Sequence, residues 1–94
     1  MEISGTIWLE DVVDKLRRKH NVEPGEVEEV LTGRPSFRRI EAGHVRGEDL
    51  YAAFGRTEAG RPLTAYFVHK LTHQALIVSA RTMTRTEKRL YGKN

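Results

Sequence analysis

The sequence predicts an α+β domain: an antiparallel sheet of about four to five strands, two N-terminal helices packed on one face, and a short C-terminal helix. Three observations carry that expectation. A helical period is confined to residues 9–33. From Pro35 onward, strand-length runs rich in β-branched and aromatic residues alternate with short glycine- or charge-containing connections. A capping-box pattern then opens a last helical segment near the end.

The opening ISGTIWLE alternates Ile3, Gly5, Ile7 and Leu9 with other residues and predicts a short strand or an extended arm. Leu9, Val12, Val13, Leu16 and His20 then follow the i, i+3, i+4, i+7, i+11 spacing of an amphipathic helix. Glu10, Asp11 and Asp14 stand in its first turns and Arg17, Arg18 and Lys19 in its last, which suits the helix dipole. In NVEPGEVEEVLTGRP, Pro24 fits a first helical turn and Val27, Val30 and Leu31 form an apolar stripe. Gly33 is the expected C′ residue and Pro35 stops the helix. SFRRIEA, DLYAAFGRT, RPLTAYFVHK and ALIVSART are the four later strands, with AGHVRGED a loop, TEAGRP a hairpin turn and LTHQ a tight turn. Links this short favour antiparallel pairing. Thr84-Arg85-Thr86-Glu87 is the capping box of the final helix, which runs to about Tyr91. With the helices on one sheet face, the other face is expected to be free for a partner.

Ninety-four residues, 38% hydrophobic and 31% charged, make a single domain, 1–94, rather than a disordered chain. The absence of cysteine removes disulfides, thiol nucleophiles and Cys-based zinc sites. No apolar run approaches the ~20 residues of a membrane span, and no signal-peptide pattern opens the chain, so a cytoplasmic location with no membrane partner is expected. The net charge of +3 is unevenly spread. Residues 1–33 hold eight acids and four Lys/Arg, a net −4, whereas residues 34–94 hold twelve Lys/Arg and five acids, a net +7. A basic region of that size points to a polyanion-facing surface.

No phosphate-binding glycine loop, dinucleotide fingerprint or zinc-protease motif is present. His20, His44, His69 and His73 lack metal-ligand spacing, so no metal or cofactor is expected. What remains is a set of guanidinium groups at strand ends: Arg56, Arg61 and Arg81, with Arg85 and Arg89 on the last helix. Arginine donates bidentate hydrogen bonds to phosphate and can stabilise charge developing at phosphorus. His69 is a proton-transfer candidate, and Tyr66, Tyr91 or Phe37 could stack on an unpaired base. Arg85, Lys88 and Arg89 share one helix face, and Glu87 and Tyr91 another. Each has a bland alternative: His69 a structural core residue, Tyr91 an edge cover, the cations a solvated face. Arg81, after so apolar a strand, requires a partner for its charge.

Register decides which of these meet. A four-residue LTHQ loop would pair Lys70 with Ala75 and place Arg81 with Lys70, Val68, Tyr66 and Ser79, His69 lying opposite. A three-residue loop would reverse this, because a one-residue slip flips every side chain. His69 with Arg81 and Lys70 with Tyr66 are therefore alternative pairings.

The run IVSARTMTRTEKRLY resembles the C-terminal signature of the BrnT-type toxins, small RelE-like ribonucleases of bacterial type II toxin–antitoxin modules. Ser79, Ala80, Arg81, Thr84, Arg85, Glu87 and Tyr91 carry the resemblance, with Gly55-Arg56, Phe67-Val68-His69, Trp8 and Lys19-His20-x-Val22 in support. The first helix departs from the family pattern at Leu9, Val12, Leu16 and Asn21, the last standing where glycine is common, so that helix is left out of the site. The resemblance implies metal-independent RNA cleavage by 2′-OH attack, with RNA free or on the ribosome as substrate and a DNA-binding antitoxin as partner in a hetero-oligomer. It implies Arg81 and Arg56 as charge-stabilising groups and His69 as proton-transfer group. Arg85, Arg89, Lys88, Lys70, Tyr91 and Tyr66 would hold RNA, and the basic tail, Lys93 included, would floor an anion site. Two alternatives stand beside it: a non-catalytic RNA- or ribosome-binding module, and a degenerate toxin that only docks its antitoxin.

Overall fold

A computed structural model describes residues 1–91; Lys93 lies outside the described residues. In chain order the elements are β1 Gly5–Ile7, α1 Glu10–Lys15 continuing into a π-helical turn Leu16–His20, α2 Pro24–Thr32, β2 Ser36–Glu41, β3 Leu50–Arg56, β4 Pro62–His69, β5 Gln74–Thr82 and α3 Arg85–Tyr91. The architecture is α+β, as the sequence predicts.

The stripe of the first helix narrows to one fully buried residue, Leu16, while Leu9 stays half-exposed at its N-cap. The last turn widens because the Asn21 and Val22 N–H groups both reach back to the Leu16 carbonyl. Asn21 ends it in the left-handed region at φ 52°, a conformation asparagine tolerates better than most non-glycine residues. Val22 is thereby turned fully into the core. α2 keeps the predicted stripe: Val27, Val30 and Leu31 are buried, and Glu23 with Glu26 forms a capping box around Pro24.

Its C-terminus departs from expectation. Gly33 has φ −96°, and the left-handed position falls on Arg34, at φ 63°. Gly33 is needed for space instead, since a Cβ there would stand 2.9 Å from the Glu29 carbonyl oxygen.

The sheet order is β1-β5-β4-β3-β2. β2 to β5 pair antiparallel, but β1 lies parallel to β5, so the sheet is mixed rather than wholly antiparallel. A parallel neighbour requires a long crossover, and the two helices and three strands between β1 and β5 supply it.

The β4–β5 turn has three residues, 71–73, with Lys70 N–H donating to Gln74 O at 2.9 Å and His69 opposite Ala75. Alone, that turn would bring His69 and Arg81 to one face. A bulge then inserts Val78: Phe67 faces Ile77, but Tyr66 faces Ser79. The two one-residue slips cancel. Arg81 sits opposite Thr64, on the face of Tyr66, and His69 lies on the other face. The bulged Val78 carbonyl accepts a hydrogen bond from Lys15 Nζ at 3.2 Å.

The main core lies between the sheet and α1/α2, built on Leu16, Val22, Val27, Val30, Leu63, Phe67 and Ile77. The opposite face is only partly free. α3 covers one end of it, where Phe54, Ala52 and Met83 are buried against Tyr66 and Tyr91. Among the described residues no helix is long and apolar enough to cross a membrane.

Candidate nucleic-acid interface

Arg81 has its partner, and it is Glu87. The guanidinium donates through Nη1 to Glu87 Oε1 at 2.7 Å and through Nη2 to Oε2 at 2.9 Å, a bidentate pair. Nη2 also donates to Tyr66 Oη at 2.8 Å and Nη1 to the Thr82 carbonyl at 3.2 Å. The guanidinium carbon stands 5.6 Å from the Tyr66 ring centroid, within cation–π reach. Glu87 further accepts from Thr64 Oγ1 at 3.0 Å and from Thr84 N–H at 2.9 Å, while Glu87 N–H donates to Thr84 Oγ1 and closes the capping box. The Arg81 hydrogen bonds, assisted by those from Thr84 and Thr64, hold the Glu87 carboxyl at about 2, against the opposing effect of its burial. Glu87 in turn raises the pKa of Arg81. The pair ties α3 to the sheet while 29% of the Arg81 side-chain surface still meets solvent.

α3 turns the other cations outward. Glu87 and Tyr91 face the sheet, and at 3.6 residues per turn Arg85, Lys88 and Arg89 project from the opposite side. All three are exposed and make no ion pair among the described residues. The expected floor of an anion site is therefore a ridge on the outer side of α3, separated by the helix from Arg81.

The remaining candidates disperse. Arg56 is exposed at the end of β3, donates to Gly60 O at 2.9 Å, and shares a cavity with Tyr91. Tyr91 lies flat on Phe54, ring centroids 4.0 Å apart, and so covers the sheet. Lys70 is at the far end of the face, bonded to the buried Glu48 at 2.7 Å. Glu48 also accepts from Leu71 N–H, and these two bonds lower its pKa. His69, on the helix-covered face, donates from Nε2 to the Glu2 carbonyl at 2.8 Å and stands edge-on to Tyr51. It anchors the N-terminal arm and does not meet Arg81. Phe37 packs edge-on to Phe67 at the core rather than facing solvent. Arg61 binds the His20 and Asn21 carbonyls and Glu26, which fastens the helix pair to the sheet. Trp8 packs against the core and donates to Glu28 Oε2 at 3.1 Å.

No family model matches the chain, and no curated protein matches it. Local chemistry therefore carries the functional argument.

Three contributors escape sequence reasoning. Thr64 reads as an ordinary strand residue until the bulge brings it opposite Arg81. Glu48 sits in a loop with no pattern to mark its burial. Arg34 had a signal, the Gly-Arg-Pro run that ends α2, because the residue between a helix-ending glycine and a proline has few backbone conformations open to it.

Proposed function

We propose that the chain is a toxin of the BrnT-like type that binds single-stranded RNA and cleaves it without a metal ion. The observation that carries this reading is the Arg81–Tyr66–Glu87 network, a partly exposed guanidinium fixed beside a phenol at the edge of a cation-rich helix. Four residues of the C-terminal signature tie α3 to the sheet: Arg81 bonds Glu87, Glu87 bonds Thr84, and Tyr91 lies on Phe54 beside Gly55-Arg56. In the proposed reaction the ribose 2′-oxygen bonds to phosphorus as its proton passes to solvent water, the P–O5′ bond breaks, and the leaving 5′-oxygen takes up a proton from water. Arg81 neutralises charge on the non-bridging oxygens. A rigid donor of this kind contributes about 10²–10³ in rate. Tyr66 accepts from Arg81 and keeps its own phenol proton to offer to the phosphate. The exposed ridge of Arg85, Lys88 and Arg89 holds the RNA backbone and makes binding depend on salt.

One finding favours a second reading, an RNA- or ribosome-binding module without turnover: His69, the proton-transfer candidate, lies across the sheet from Arg81.

The experiment is incubation of defined single-stranded RNA, free and ribosome-bound, with purified protein in EDTA, alongside Tyr66→Phe and the Arg85→Ala/Lys88→Ala/Arg89→Ala triple variant. The proposal expects 2′,3′-cyclic phosphate ends, slowed by Tyr66→Phe at unchanged affinity, and RNA affinity lost in the triple variant. Intact RNA that is nonetheless bound would replace cleavage by the binding module. RNA neither bound nor cut would leave docking of an antitoxin as the function.

A further inference from the structure

The Gly33-Arg34-Pro35 turn, the end of β3 and α3 enclose a cavity of about 270 Å³, lined by Arg34, Ser36, Phe54, Gly55, Arg56 and Tyr91. Ligand pockets run from ~300 Å³ upward, so this one has room for one nucleotide fragment rather than a larger molecule. Its construction is specific. Gly55 lets the turn lie against β3, because a Cβ there would come within 3.1 Å of both Pro35 and Val30. Arg34 occupies a left-handed backbone position, φ 63°, where glycine would be the unstrained choice. Its side chain makes no hydrogen bond or ion pair among the described residues and is exposed. A guanidinium is thus held, at a cost in backbone strain, beside a second one, a serine hydroxyl and a stacked aromatic pair.

We infer that this cavity is a subsite for a nucleotide flanking the one at Arg81, with Arg34, Arg56 and Ser36 taking its phosphate and Tyr91 its base. This rests on the RNA reading above and extends it to Arg34 and Ser36, which the C-terminal signature does not include. The placement suits a continuous strand. Phe54, Thr64 and Arg81 are successive cross-strand partners, so the cavity floor and Arg81 lie two strand spacings apart, about 10 Å. Planar guanidinium groups suit phosphate oxygens, and an aromatic ring suits any base, so the subsite fixes the position of the strand more than its sequence.

Arg34→Gly separates the side chain from the fold, since glycine relieves the left-handed strain. The test measures affinity for a fluorescent single-stranded RNA across a salt series, for wild type and Arg34→Gly, with thermal unfolding of both. The expected result is an affinity about tenfold weaker, a log–log salt slope shallower by about one, and a melting temperature unchanged or raised. Wild-type binding with Arg34→Gly equally tight would overturn the subsite and leave the RNA reading standing. Failure of the wild type to bind RNA at any salt would overturn both.

Discussion

Replacing Glu87 with glutamine keeps the shape of the side chain and removes the charge that Arg81 was folded against. The carboxyl is held at about 2 against an ordinary 4.5, so the folded protein binds its proton far more weakly than the unfolded chain. A gap of roughly 2.5 pH units corresponds to about 3 kcal/mol if all of it appears as stability. The side chains are 17% and 29% exposed, and solvent screening reduces this to about 1–2 kcal/mol. Because the folded value is the lower one, the contribution is complete above about pH 5 and is lost as the pH falls toward 2.

Urea unfolding followed by the single tryptophan, Trp8, measures it. The difference between wild type and Glu87→Gln is expected at about 1–2 kcal/mol at pH 7, falling to about 60% of that by about pH 3.5 and to about a quarter by about pH 2.5. A difference that stays constant over this range would refute the argument, because a packing or shape effect of the amide does not titrate. So would no difference at pH 7, which would mean that Arg81 satisfies itself on Tyr66 and the Thr82 carbonyl.

Other consequences follow from the same packing. Phe67→Ala removes a fully buried ring that touches Phe37 and Tyr51, and a loss of about 3–5 kcal/mol in urea unfolding is expected. Gly55→Ala forces apart the contact of β3 with Pro35 and Val30, at about 1–3 kcal/mol by the same measurement. His69→Phe should leave RNA affinity within experimental error. By deleting the bond to Glu2, it should speed amide exchange in the arm leading to β1; a large loss of RNA affinity would instead place His69 at the interface.

What the sequence disclosed, and what it hid, divides along the range of the interactions. Periodicity is local, so Val27, Val30 and Leu31 could be placed in the core from spacing alone, and the capping box at Thr84 and Glu87 could be placed from four residues. The partner of Arg81 was present in that same box, six residues on, but counting Glu87 as a cap concealed that its carboxylate accepts from three residues at once. The register of β4 against β5 lay beyond any local rule. A shorter turn and an inserted Val78 each reverse the faces, and only their combination returns Arg81 to Tyr66. Alternation does carry a trace of the bulge: Ile77 and Ala80, three apart, are both buried, whereas a regular strand buries residues two or four apart. The run Ala75-Leu76-Ile77-Val78 is apolar on both faces, so hydropathy could not show where the alternation broke. The residue most informative about function is thus one whose orientation depends on two compensating irregularities. A deletion of Val78 would test that dependence, turning Arg81 toward the helix-covered core while leaving the composition of the strand almost unchanged.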